Sequence, residues 1–194
     1  SHLGEKIAPC RSIAYDILVV SVGSTSNDFN TEGAKEHCVC LDSRAQADYL
    51  QKEFLNLYLQ AQANTLIEDT QGSLLNIAII GAGATGVELA AELHFAAHQF
   101  CKYGLDSIQP DNVCITLIEA ADRVLPVLNS KISSLAEAEL VNMGIQVRTK
   151  SRVQKIDETH IYFDDGTQLA ADLKVWSAGI KAPDFLNNIA ELET

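Results

Sequence analysis

No apolar run in this sequence approaches the about 20 residues needed to cross a bilayer as a helix, and no signal peptide is visible. Basic residues are scarce: 14 Lys and Arg stand against 26 Asp and Glu, a formal net charge of −12. That balance excludes nucleic acid and anionic lipid as the main partner, because both need a positive face. The five cysteines, Cys10, Cys38, Cys40, Cys101 and Cys114, include no C-x-x-C pair, and their number is odd. A disulfide framework and a dithiol redox centre are therefore not expected. Cys38 and Cys40 are too close for a zinc half-site of the usual spacing, and alternation puts both on one face of a strand. Buried core thiols in a reducing compartment are expected instead. What remains is ordinary for a globular protein: 194 residues, 47% hydrophobic and 21% charged, enough for one domain with additions or for one domain plus a fragment of another.

The most informative stretch is Gly81-Ala82-Gly83-Ala84-Thr85-Gly86-Val87-Glu88. It follows the apolar run Ile77–Ile80 and opens into a helix-forming segment from about Thr85 to Lys102. A strand, a G-x-G-x-x-G turn and a helix form the context of dinucleotide binding. Gly81 permits the tight turn, Gly83 lets backbone approach a pyrophosphate, and Gly86 lets helix and strand pack closely. Free N–H groups and the positive end of the helix dipole then face the phosphates. Cys114–Ile118 reads as the next buried strand, with Glu119 at its carboxyl end. A carboxylate there accepts hydrogen bonds from the adenosine ribose hydroxyls and repels a 2′-phosphate, which favours NAD(H) over NADP(H). Arg123 points the other way, since an arginine near this position can accept a 2′-phosphate.

Along the rest of the chain, Tyr15–Ser24 is a buried-strand pattern, and Thr25–Glu36 is polar and turn-rich, as in a connection between domains. Asp42-Ser43 caps a helix over about 44–62, with an apolar stripe at Ala47, Leu50, Phe54, Leu57, Tyr58 and Ala61. A second polar connection spans Asn64–Leu74, and a polar loop spans Gly104–Asn112. A helix over about 131–143 ends at Gly144. A strand at 145–149 and short strands at 153–156, 161–163 and 168–170 follow. Asp164-Asp165-Gly166-Thr167 supplies the hairpin between the last two. Lys174–Gly179 is the final strand. The fold class expected is α/β: a Rossmann-type parallel sheet with helices on both faces plus an antiparallel β-meander.

His94 and His98 share a helix face at i, i+4 but have no third ligand in view, so no metal site is assigned. Trp176 is expected in the core, and Asp157, Asp164 and Asp165 as solvated turn charges.

Three stretches resemble the flavin-dependent pyridine-nucleotide oxidoreductases, and within them the type II NADH:quinone dehydrogenases. They are Gly81 to Leu93, Leu117-Ile118-Glu119-Ala120 with Arg123-Val124-Leu125-Pro126, and Val175 to Asp184 with its Trp176-Ser177-Ala178-Gly179 core. The resemblance implies that Gly81, Gly83, Ala84, Thr85 and Gly86 hold the pyrophosphate of NADH and that Glu119 holds the adenosine ribose. It implies that Glu88 orients the carboxamide near the electron-transfer site, and that Ala178 and Gly179 let the nicotinamide half approach backbone. It also implies a piece of a longer enzyme: residues 1–36 as the edge of an FAD domain and its connection, 37–179 as the NADH domain, and 180–194 as a return segment. In the whole family member, NADH reduces FAD and the flavin reduces a membrane quinone without proton pumping. The protein there is peripheral, on the cytoplasmic side of the inner membrane. By the same reasoning this chain is expected to bind NADH without turnover and not to hold FAD. Quinone and membrane are met only through regions outside it, and an exposed FAD-domain face leaves a homodimer open. The alternatives are the NAD-binding domain of another flavin-dependent disulfide or ferredoxin reductase, a non-enzymatic NAD-binding module, and an S-adenosylmethionine-binding domain.

Overall fold

A five-stranded parallel sheet organises the chain, in the strand order β2-β9-β3-β4-β5. Its members are β2 (Val39–Cys40), β3 (Leu75–Ile80), β4 (Val113–Ile118), β5 (Gln146–Arg148) and β9 (Leu173–Trp176). The computed structural model describes residues 11–68, 75–103 and 112–189, without the side chains of 64–68 and 101. β3 is central, pairing with β4 from Leu75↔Val113 to Ile80↔Ile118 and with β9 from Ile77↔Leu173 to Ile80↔Trp176. Such strands are buried on both faces, which is why they read as continuous apolar runs.

The two faces meet different partners. Ile77, Ile79, Ile115, Leu117 and Val175 pack on one side with residues of three helices: α2 (Arg44–Glu68), α3 (Ala84–Lys102) and α4 (Ser130–Asn142). The Phe100 ring of α3 sits 5.5 Å from Phe54 and 4.8 Å from Tyr58, pinning α2 to α3. Burying each such ring stabilises the fold by roughly 1.5–3 kcal/mol. Alternate residues of the same strands, Ala78, Ile80, Ile118 and Trp176, pack on the other side against Ile156, Ile161, Phe163 and Ala171. These belong to or adjoin the meander of β6 (Val153–Ile156), β7 (His160–Phe163) and β8 (Gln168–Ala170). The helices are thus divided unequally. The three long ones share one face, and the four-residue α1 (Ala34–His37) joins the meander on the other through Ala34.

Local chemistry sets the element ends. Ser43 Oγ accepts from the Gln46 N–H (3.3 Å) while Gln46 Oε1 accepts from the Asp42 N–H (2.8 Å), a reciprocal cap that starts α2. Asn129 Oδ1 accepts from the Ile132 N–H at 3.0 Å to start α4, and Gly144 at φ 80° ends it. In the β6–β7 turn, Asp157 accepts from the Tyr162 phenol (2.7 Å) and the N–H groups of Thr159 and His160. These donors hold its carboxyl well below the usual carboxylate range, the phenol contributing most. In the β7–β8 turn, Asp165 accepts from the Thr167 N–H, and Arg148 reaches Asp165 at 3.3 Å while its guanidinium lies 3.7 Å over the Phe163 ring. Beneath the meander, the buried Lys174 ammonium donates to the carbonyls of Glu158 (2.7 Å) and Ala171 (3.0 Å). Burial lowers its pKa.

Several sequence expectations need correction. Tyr15–Ser24 is not a strand: Ile17 is 84% and Val19 81% exposed. Its apolar pattern finds no ladder among the described residues, and a strand exists only where a neighbour completes its hydrogen bonds. The segment 25–36 is no mere connection. Thr25–Ser26 forms β1, antiparallel to β10 (Ile180–Lys181), and Ala34 is buried in the second core. Helix α2 runs on to Glu68, beyond the expected 62, and Ala47 of its stripe is exposed. Cys38, Cys40 and Cys114 are free thiols but half-buried rather than in the core. Most of the expected loop 104–112 and part of the connection 64–74 lie outside the described residues, as does Cys10.

Residues Ser24–Ala182 form one compact unit. The described residues before and after it belong to a second, which contains a short 3-10 helix at Asp184–Asn188.

Candidate dinucleotide site

The carboxyl ends of β9, β3 and β4 open into a cleft of about 1180 Å³. Ligands of open α/β sheets bind outside this edge, because the strand-to-helix turns there leave backbone groups without partners. At the centre, β3 ends at Gly81, whose N–H donates to the Ile118 carbonyl at 2.7 Å. Gly81 has φ 105°, and a Cβ there would come within 2.6 Å of the Ala178 nitrogen. Gly86 faces inward from α3, and a Cβ on it would overlap the Gly81 carbonyl oxygen. Gly83 differs. No heavy atom lies within 4 Å of where its Cβ would be, and it lines the cleft. Packing of the chain therefore does not require a glycine at 83.

Glu119, at the end of β4, lines the same cleft. Its Oε2 accepts from the Ala82 N–H and its Oε1 from the Ala121 N–H, both at 2.8 Å. The carboxylate is thereby fixed in orientation while each oxygen keeps a further lone pair. The Leu125 N–H donates to the Ala82 carbonyl at 2.8 Å, and Leu125 takes φ 47°, so 125–128 forms a wall beside the glycine turn. Arg123 supports that wall: its guanidinium donates to the Pro126 carbonyl at 3.0 Å and lies 3.6 Å from Asp122. It is not part of the cleft lining, so the structure gives no support to Arg123 as a 2′-phosphate acceptor. The arginine that does line the cleft is Arg152.

Of the residues singled out from the sequence, Gly81, Gly83, Ala84, Glu119, Ala178 and Gly179 come together along this cleft. Thr85 and Glu88 are exposed on α3 outside the lining, and Gly86 is buried beneath it. Glu88 is the fifth residue of α3, and the first turn carries no acid, so stabilisation by the helix dipole does not account for it. His94 and His98 have ring centroids 4.3 Å apart. Among the described residues, no cluster of three or more His, Cys, Asp or Glu could hold a metal. Trp176 is 3% exposed, and its indole N–H donates to the carbonyls of Asn27 (3.0 Å) and Ala178 (2.8 Å). Sequence reasoning missed two walls, Phe29–Thr31 and Ser151–Gln154. The first lies in a polar turn and the second at the start of β6, and only the tertiary fold places them beside the glycine turn.

A parallel sheet with a glycine turn at its carboxyl edge and an acid at the end of the neighbouring strand is the architecture of the doubly-wound α/β domains that bind dinucleotides; here an antiparallel meander covers one face. Residues 5–194 match the pyridine nucleotide-disulphide oxidoreductase model, and the chain belongs to that family. It is 37% identical over 200 residues to a type II NADH:quinone oxidoreductase of Haemophilus influenzae, covering 98% of this chain and 45% of that protein. It is 32% identical over 191 residues to the mitochondrial external alternative NAD(P)H-ubiquinone oxidoreductase B2 of Arabidopsis thaliana, covering 93% of this chain and 32% of that one. The chain thus spans less than half the length of these relatives. Among solved structures, NDH2 from Plasmodium falciparum in complex with NADH superposes with a TM-score of 0.77 at 24% identity, covering 88% of this chain and 36% of that one. At that identity the likeness shows the fold.

Proposed function

We propose that this chain is the NADH-binding region of an NADH:quinone oxidoreductase. The observation that carries the reading is the pairing of an open Gly83 with an oriented Glu119 on one cleft. The diphosphate lies over Gly81, Gly83 and Ala84 at the amino end of α3, with Thr85 and Gly86 shaping that turn. The adenosine ribose hydroxyls donate to the free lone pairs of Glu119, and a 2′-phosphate is repelled there. The nicotinamide half lies toward Ala178 and Gly179, and Glu88 orients its carboxamide from the exposed side of α3. When bound, NADH supplies a hydride that FAD takes up, and a membrane quinone receives the electrons.

In this reading Ser24–Ala182 carries the NADH site, and the residues before Ser24 and after Ala182 belong with an FAD domain of the same protein. The exposed side chains of Ile13, Ile17 and Val19 support that assignment, since apolar residues left so open are suited to meet another surface. The isolated chain binds NADH without turnover and does not hold FAD. The whole enzyme is peripheral on the cytoplasmic side of the inner membrane. No helix among the described residues is long and apolar enough to cross a membrane.

The test is a calorimetric titration of the chain with NADH, NADPH as the paired control, repeated on Glu119→Gln. Saturable NADH binding with at least about tenfold weaker NADPH binding is expected, and Glu119→Gln is expected to narrow that gap. Equal affinities in the parent chain would remove the role given to Glu119.

A further inference from the structure

The turn at 27–31 is held tightly to the end of β9. The Asn27 N–H donates to the Gly179 carbonyl at 3.2 Å, and the Trp176 indole donates to the Asn27 carbonyl at 3.0 Å. The Phe29 N–H donates to Asn27 Oδ1 at 3.0 Å, and the Thr31 N–H to the Asp28 carbonyl at 2.9 Å. These bonds hold two consecutive side-chain-bearing residues, Phe29 (φ 50°) and Asn30 (φ 55°), in the left-handed region that L-residues seldom adopt. Such strain persists only where surroundings over-determine it, and it concentrates at ligand sites.

The product of that strain is the placement of one ring. Phe29 lines the cleft and remains 58% exposed, instead of tucking into the core below. It lies against Gly179, and a Cβ on Gly179, itself at φ 67°, would overlap the ring. Gly179 is therefore small because Phe29 rests on it.

Strand order gives the ring its place relative to a ligand. Along the sheet edge the sequence of ends is β9, β3, β4, β5. Gly179 with Phe29 follows β9, the glycine turn follows β3, Glu119 ends β4, and Ser151 beyond β5 donates its N–H to the Glu119 carbonyl at 3.0 Å. A dinucleotide with its adenosine at Glu119 and its diphosphate over the glycine turn has its other half at the Phe29 end. We infer that the Phe29 ring is the aromatic wall against which the nicotinamide half of NADH is positioned. This rests on the NADH reading above. Offset or edge contact between the ring and the nicotinamide supplies the interaction.

The test compares NADH with ADP-ribose, which shares everything up to the second ribose but lacks nicotinamide. The 194-residue chain, Phe29→Ala, Phe29→Leu and Phe29→Tyr are each titrated with both ligands, and their melting temperatures are compared. Phe29→Ala and Phe29→Leu are expected to weaken NADH about three- to tenfold with ADP-ribose affinity unchanged, and Phe29→Tyr to retain both. Phe29→Leu keeps most of the side-chain volume, so it reads the loss of the ring even if the alanine variant folds poorly. The change in reduced-nicotinamide fluorescence on binding is expected to shrink in the alanine and leucine variants. Equal losses for NADH and ADP-ribose, or no loss for NADH, would overturn this assignment while leaving the NADH site standing. Binding of neither ligand by the parent chain would overturn the NADH site, and this inference with it.

Discussion

Two glycines of one turn are predicted to answer the same substitution in opposite ways. In Gly86→Ala the new methyl overlaps the Gly81 carbonyl oxygen and comes within 2.8 Å of Ser177 Oγ. Ser177 Oγ is itself held to the carbonyls of Ile80 (3.1 Å) and Gly81 (2.9 Å), so strand and turn must both shift. Overpacking of this kind costs about 1–3 kcal/mol, and the better helix propensity of alanine offsets less than about 1 kcal/mol. For a chain of this size each kcal/mol moves the melting temperature by about 2–4 °C, so a fall of roughly 3–10 °C is expected. Gly83→Ala meets no atom within 4 Å. Its melting temperature is expected to stay within about 3 °C of the parent, with any gain coming from a less flexible unfolded chain. Its methyl occupies ligand space, and NADH affinity is expected to fall at least about tenfold, or 1.4 kcal/mol. Thermal unfolding followed by circular dichroism and NADH calorimetry on the same samples reads both quantities. If Gly83→Ala loses stability as Gly86→Ala does, or binds NADH like the parent, the division between a packing glycine and a ligand glycine is wrong.

Two further predictions concern pH and thiol chemistry. Asp157 has a carboxyl pKa held below its ordinary value of 3.8 by the Tyr162 phenol and two backbone N–H groups. The stability it contributes is therefore fully present above the unfolded value and lost as pH falls through the lower folded one. Asp157→Asn is expected to be less stable than the parent at neutral pH and to flatten the acid limb of stability below about pH 4; parallel acid limbs would show the carboxylate to be uninvolved. Burial pushes the Cys38 thiol up to about 12, so it stays protonated at pH 8 and alkylation by iodoacetamide is expected only after unfolding. Peptide mapping showing rapid labelling of Cys38 in the native chain would contradict that assignment.

The glycine turn was legible because each glycine has a physical job, and because the apolar run before it and the helix-forming run after it fix its context. The cap at Ser43 and the hairpin at 164–167 are equally local, since each is decided by side chains within a few residues of the backbone they bond; the Asn129 cap of α4 is just as local but was not read from the sequence. The family likeness, too, rests on contiguous words such as Gly81–Leu93 and Val175–Asp184. What the sequence could not supply was anything that depends on which segment lies beside which. Tyr15–Ser24 has the composition of a strand, but composition cannot provide the neighbour that a ladder requires. Alternation along β3 and β4 predicts two buried faces without saying that long helices cover one and the meander the other. Phe29 shows the limit most sharply. It lies in a polar turn with no periodicity, and only the closing of β9 beside β3 brings its ring against Gly179, 150 residues along the chain, at the mouth of the cleft. Local chemistry determined the turns, caps and glycine-rich loop of this protein, while long-range strand pairing decided which walls enclose them.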